Sequence, residues 1–146
     1  MTSAPECPLC RDDGGLLILQ TPQWRVIRAE DAQFPAFYRL VWQAHVAEFS
    51  ELSGPERLAC MEAVTVIERV LREALRPTKI NLAALGNVVP HLHWHVVARF
   101  DWDSHFPNPI WGVPMRGLEG AAVDRLAVGL SDLDERVRAA LSTLLG

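Results

Sequence analysis

Three of the five histidines in this 146-residue chain stand at alternate positions, in Pro90-His91-Leu92-His93-Trp94-His95-Val96-Val97. Side chains along a strand alternate between its two faces. A strand here puts His91, His93 and His95 on one face, continued by Val97 and Arg99. It puts Leu92, Trp94, Val96, Ala98 and Phe100 on the other. The second set is an apolar stripe fit for a core, and the first is a row of imidazoles. Imidazole ligates metals, attacks electrophiles in its neutral form, and donates to anions as they develop. Metal ligation, covalent catalysis and binding without turnover are therefore all open uses of the row. A second reactive group is Cys7-Pro8-Leu9-Cys10. Thiolates at this spacing grip one zinc or form a redox pair. A redox pair would follow a strand and open a helix. Here no strand precedes it, and Arg11-Asp12-Asp13-Gly14-Gly15 reads as a turn. One C-x-x-C is half of a tetrahedral zinc site, so two unrelated thiols remain the other reading.

The elements that must position these groups follow from the same sequence. Leu16–Gln20 and Trp24–Arg28 read as strands joined at Thr21-Pro22-Gln23, and Tyr38–Trp42 as a third. Ala29 to Pro35 is a loop carrying Glu30 and Asp31, and His45 lies just past the third strand. Ser53-Gly54-Pro55-Glu56 is a capping box with Pro in the first turn. Leu58, Met61, Val64, Ile67, Leu71, Ala74 and Leu75 then recur at three and four, which predicts a long amphipathic helix ended by Pro77. Cys60 falls inside it as packing. Lys79–Leu85 is the next strand, with Gly86-Asn87 as the turn leading into the histidine strand. Asp101 and Asp103 are the acids near the row, in a loop whose Pro107–Trp111 stretch is expected to pack on a neighbour. Gly112–Gly120 reads as a linker, and Ser131 is the expected cap of a last helix carrying Leu133, Val137, Leu141 and Leu144.

The row and its flanks resemble the histidine triad (HIT) family, whose signature is His-φ-His-φ-His-φ-φ with φ apolar. His91 to Val97 matches every position, and Lys79 to Val89 resembles the family's approach to the triad. The resemblance runs from about Cys7 to Trp111. It implies an α+β fold, a mainly antiparallel sheet with the long helix on one face, and a homodimer whose sheets meet edge to edge. It implies hydrolysis or transfer at the α-phosphate of a nucleotide conjugate. His93 is then the nucleophile that becomes nucleotidylated, and His95 donates to a phosphate oxygen or to the leaving group. An acidic contact to the ribose falls on Glu30 or Asp31, with Asp31 taken here, and further substrate contacts fall on Asn81 and Asn87. Related branches, including the galactose uridylyltransferases, join an N-terminal C-x-x-C to a histidine after the strand and to the first triad histidine. That implies one structural zinc on Cys7, Cys10, His45 and His91. The chain departs from the pattern at Phe37-Tyr38, where many members have Gly-His, at Gln43-Ala44 for Pro-Lys, and at Val88, where Ser or Thr is frequent.

Composition bounds the rest. The length suits one domain, expected as a HIT-like region 1–112 with a helical extension 113–146. The apolar share of 49% and charged share of 22% are those of an ordinary globular core. A formal charge of −4 gives no basic footprint for nucleic acid. Met1 to Glu6 lacks the features of a signal peptide, no apolar run approaches a membrane span, and the odd cysteine count does not suggest a secreted disulfide framework. The expectation is a cytoplasmic nucleotide hydrolase or nucleotidyl transferase without a redox cofactor, nucleic acid or membrane partner. The alternatives are a nucleotide-binding regulatory module with little turnover, and a metallohydrolase using the histidine row.

Overall fold

The structure is a computed structural model that describes residues 3–146. Five strands, β1 (Leu16–Gln20), β2 (Trp24–Arg28), β3 (Phe37–Trp42), β4 (Lys79–Ala83) and β5 (His93–Arg99), form one antiparallel sheet in the order β1-β2-β3-β5-β4. The helices are a short α1 (Pro8–Arg11), the long α2 (Gly54–Leu75) and the C-terminal α3 (Leu130–Leu145). The last strand in sequence is thus inserted between β3 and β4, which gives the histidine strand a neighbour on both sides. This is the α+β architecture expected, with the sheet antiparallel throughout.

The two faces divide as the alternation requires. Trp24 and Val26 of β2, Tyr38, Leu40 and Trp42 of β3, and Val96 and Ala98 of β5 lie with Ile80 against the buried side of α2. That side presents Cys60, Ala63, Val64, Ile67, Leu71 and Leu75. Full burial of each large aliphatic chain is worth roughly 1.5–3 kcal/mol. Burial pushes the Cys60 thiol up to about 12, so this cysteine is inert packing. Ser53 caps α2 through the expected reciprocal box with Glu56. The helix ends where Arg76 enters the left-handed region at φ 49°, just before Pro77. Leu58 departs from the expected stripe and is exposed, because at about 100° per residue it stands on the side of α2 opposite Ile67, while Cys60 and Ala63 beside it are already buried.

The C-terminal helix belongs to the same core. Leu133, Val137 and Leu141 pack with α2 and the sheet. Asp134 accepts from Tyr38 Oη at 2.6 Å and from Arg28 Nε at 2.9 Å, tying α3 to β2 and β3. Burial and Asp134 hold the Tyr38 phenol well above its ordinary range, so it stays a donor. The helix starts earlier than expected. Gly129 is its N-cap, and Ser131, already inside the first turn, makes no cap bond. β4 also stops at Ala83, two residues short, because residues 84–92 form a longer connection in place of a tight turn at Gly86-Asn87. Gly86 sits there at φ 75°, a conformation that an L side chain rarely adopts.

Candidate active site and metal centre

Register decides what surrounds the histidines. On the face away from α2, β5 carries His93, His95, Val97 and Arg99. β3 pairs Val41 with His93, Arg39 with His95, and Phe37 with Val97, and β4 pairs Ala83 with His95 and Asn81 with Val97. His93 and His95 share this face with their rings 4.9 Å apart at 76°. The row of three is not continuous, however. β5 begins at His93, and His91 lies before it with its ring fully buried among the N-terminal cysteines.

His93 Nδ1–H donates to the His91 carbonyl at 2.6 Å, a neutral imidazole thereby keeping its lone pair on Nε2. Burial, with Arg39 adding to it, lowers the His93 pKa and favours the neutral ring, against the raising effect of the bond to the His91 carbonyl. His95 is 5% exposed, and Arg39 Nε donates to its Nδ1 at 3.3 Å. Burial first, then His93 and Arg39, push its pKa down to about 3. Trp111 lies edge-on to His95 with ring centroids 4.9 Å apart and is itself 50% exposed. The loop aromatic expected to pack on a neighbour thus covers a histidine of its own chain.

The loop that carries Trp111 is fixed by a buried ion pair. Arg99, 1% exposed, donates to Asp103 through Nε at 2.8 Å and Nη2 at 3.0 Å, to Asn81 Oδ1 at 2.8 Å and to the Asn108 carbonyl at 2.7 Å. Burial alone would raise the Asp103 carboxyl. Arg99 and the N–H groups of Phe100, His105 and Phe106 outweigh it and hold the carboxyl below its ordinary range. A carboxylate with a depressed native pKa stabilises the fold above its unfolded pKa and loses that contribution as pH falls through the native value. Asp103→Asn is therefore expected to cost about 3 kcal/mol at neutral pH. In urea titrations the difference from wild type should shrink as the buffer is taken below pH ~4. A difference that does not change with pH would refute the assignment.

The expected substrate contacts divide. Asn81 stands on the site face, with Oδ1 held by Arg99. Asn87 lies exposed in the connection after β4, outside any strand. Asp31 Oδ1 accepts from the N–H groups of Gln33 and Phe34, which shapes the loop before β3, and its carboxylate acts on Arg39. Phe37 lies 5.5 Å from the His95 ring, whereas Tyr38 points into the core.

The four expected metal ligands come together. One ligand atom from each of Cys7, Cys10, His45 and His91 lies within 4.8 Å of the others. His91 Nδ1 is 3.4 Å from Cys7 Sγ, 3.5 Å from Cys10 Sγ and 3.2 Å from His45 Nδ1, and Cys10 Sγ is 3.4 Å from His45 Nδ1. Tetrahedral zinc separates sulfur and nitrogen ligands by about 3.6 Å and two nitrogens by about 3.3 Å, from the usual bond lengths. His91 Nε2–H donates to the Trp42 carbonyl at 2.6 Å, so Nδ1 offers a lone pair to the centre. The donor chemistry and the spacing both fit zinc. Arg25 holds the cysteine turn in place, donating to the carbonyls of Leu9, Asp12 and Asp13 at 2.7, 2.9 and 3.0 Å and to Gln43 Oε1 at 2.7 Å.

Arg25 and Arg39 were not singled out by sequence reasoning. The available signal was alternation: each is the charged member of an otherwise apolar site-face row, Arg25 with Ile27 and Arg39 with Phe37 and Val41.

A HIT domain model matches residues 14–102, more than half of the chain, and the chain belongs to that family. A histidine triad protein from Bradyrhizobium japonicum is 29% identical, with 88% of this chain and 91% of that one covered at a TM-score of 0.71. A HIT protein from Sinorhizobium meliloti is 25% identical, with 90% of each chain covered at 0.66. A zinc-bound histidine triad family protein from Mycobacterium smegmatis shares the fold at 22% identity, with 95% of each chain covered at 0.60. No curated protein matches the sequence.

Proposed function

We propose that the protein hydrolyses or transfers the nucleotidyl group of a nucleotide conjugate, with His93 as nucleophile. The observation that carries this is the bond from His93 Nδ1 to the His91 carbonyl, which leaves Nε2 as the attacking lone pair beside His95. Nε2 attacks the α-phosphorus. An N–P bond forms, the bond to the leaving group breaks, and the bonding pair departs with that group. Water then cleaves the N–P bond, its hydroxyl going to phosphorus and its proton to Nε2. His95 stabilises charge on the phosphoryl oxygens. A panel of nucleoside phosphoramidates, dinucleoside polyphosphates and adenylylated compounds, read by release of the nucleoside monophosphate, tests this. No release from any of them overturns it in favour of nucleotide binding without turnover. Two observations weigh against a metallohydrolase: His91 is turned to the cysteines, and the nearby carboxylate of Asp103 is taken by Arg99.

Cys7, Cys10, His45 and His91 would hold a structural zinc. Four protein ligands close the tetrahedron, so the metal supplies support rather than an activated water. It would sit at the ring of the residue whose carbonyl orients His93.

We infer a homodimer that works in the cytoplasm. Among the described residues the outer edge of β4 has no partner strand, and the exposed Leu82, Leu85 and Val88 lie on or just beyond it. Light scattering at micromolar concentration should return twice the 16.3 kDa chain mass; monomer mass alone would refute the dimer. The three cysteines are free, which fits a reducing compartment. Among the described residues no helix is long and apolar enough to cross a membrane.

A further inference from the structure

Among the described residues, Arg39 is the one guanidinium bonded to a triad histidine. Its Nε–H points at His95 Nδ1 at 3.3 Å, its Nη1 reaches the Gly14 carbonyl at 3.4 Å, and its plane lies 4.8 Å from the centre of the Phe37 ring. A guanidinium only donates, so His95 Nδ1 must accept. A neutral imidazole with one accepting nitrogen carries its hydrogen on the other, here Nε2. An imidazolium would set N–H against N–H and charge against charge. The groups packed on His95 are Phe37 and Arg39 of β3, His93 on its own strand, Ala83 of β4 and Trp111. None of them is a carboxylate that could draw a proton onto the ring. Asp31, the carboxylate acting on Arg39, already has Oδ1 bonded to two backbone N–H groups.

We propose that Arg39 is a positioning residue that locks His95 as the neutral Nε2–H tautomer and so selects substrates whose leaving group departs as an anion. This rests on the nucleotidyl-transfer reading above. A neutral imidazole donates a hydrogen bond but holds its Nε2 proton too tightly to surrender it at neutral pH. When His93 attacks the α-phosphorus, an oxyanion such as a phosphate, polyphosphate, carboxylate or phenolate takes the bonding pair and needs no proton. An amine leaving from a phosphoramidate must gain a proton as the P–N bond breaks, and His95 cannot supply it. The Arg39 charge also favours an anion over an amine beside His95. The pKa of His95, pushed down to about 3, agrees with this geometry.

Two measurements on the 146-residue chain, supplied with zinc, test the proposal. In ¹⁵N imidazole spectra, His95 should show the Nε2–H tautomer throughout pH 5.5–8. In Arg39→Met, with the bond that fixes the tautomer gone, it should exchange between the two neutral tautomers in that range. Turnover is then compared between the p-nitrophenyl ester of AMP and adenosine 5′-phosphoramidate. Wild type should favour the ester in kcat by about a hundredfold, the scale of one missing general acid. Arg39→Met should narrow that ratio by about tenfold, while a merely structural loss would lower both substrates together. The tautomer and the wild-type ratio require no variant to fold. An Nδ1–H or charged His95 in wild type, or a phosphoramidate turned over as fast as the ester, overturns the proposal. If the tautomer is as expected and both probes are inert, the hydrolase reading fails and takes the leaving-group selection with it, while the Arg39–His95 lock stands.

Discussion

His93→Ala is expected to abolish turnover, by at least ~10³-fold in kcat, while nucleotide affinity changes little. The reason is geometric. The ring is held by a single 2.6 Å bond from Nδ1 to the His91 carbonyl, with Nε2 left free. No nearby group can take over. His95 Nδ1 is occupied by Arg39, and its Nε2 carries the hydrogen. His91 has both nitrogens committed, Nε2 to Trp42 and Nδ1 to the cysteine centre. Binding depends on the rest of the face, so equilibrium titration with a nucleoside monophosphate should give similar affinities for variant and wild type. Steady-state kinetics that retain more than about a tenth of wild-type kcat would remove His93 from its role.

Loss of the metal centre should have the second large effect. Cys7→Ser should bring zinc well below one per chain and lower Tm by about 10 °C. Structural zinc sites contribute on the order of 10 kcal/mol in small domains. A loss of even about 3–5 kcal/mol shifts a domain of this size by roughly that much. The N-terminal turn has little else to hold it. Leu9 packs in a small cluster with Cys7, Ile27 and Val41, and Arg25 is the main polar tie. With His91 as a ligand, its carbonyl, which accepts from His93 Nδ1, would shift when the metal is lost, so kcat should fall more than KM rises. Metal analysis of protein purified without a metal-affinity tag, together with calorimetry, checks this. A full zinc complement and an unchanged Tm in Cys7→Ser would exclude Cys7 as a ligand.

Much of this arrangement was legible in the chain because it is periodic. Alternation from His93 to Arg99 separated a site face from a core face, and the spacing of Val64, Ile67 and Leu71 located α2. What alternation could not show was where the strand begins. His91 leaves the row because its ring is drawn to Cys7, Cys10 and His45, a long-range cluster to which periodicity is blind. The resemblance supplied that grouping, and the physics of the strand alone did not. Register across β3 and β5 was also invisible, and with it the pairing of Arg39 with His95. Asn81 looked like a free polar contact, but its oxygen serves Arg99, a partner 18 residues away that only the folded sheet brings alongside. Ser131 failed as a cap because a good capping residue type does not fix where a helix starts once Leu130 and Leu133 have apolar partners to meet.

If His93 attacks phosphorus, the nucleotidyl-histidine it forms can be trapped. The protein is mixed with excess AMP p-nitrophenyl ester, quenched within the first turnover under alkaline denaturing conditions, where a phosphohistidine-type bond survives, and mapped by peptide mass spectrometry. The expected result is one nucleotidyl group per chain on His93, appearing in a burst that matches p-nitrophenolate release. A nucleotidyl group on His95, or a burst of leaving group with no adduct on any histidine, would contradict it.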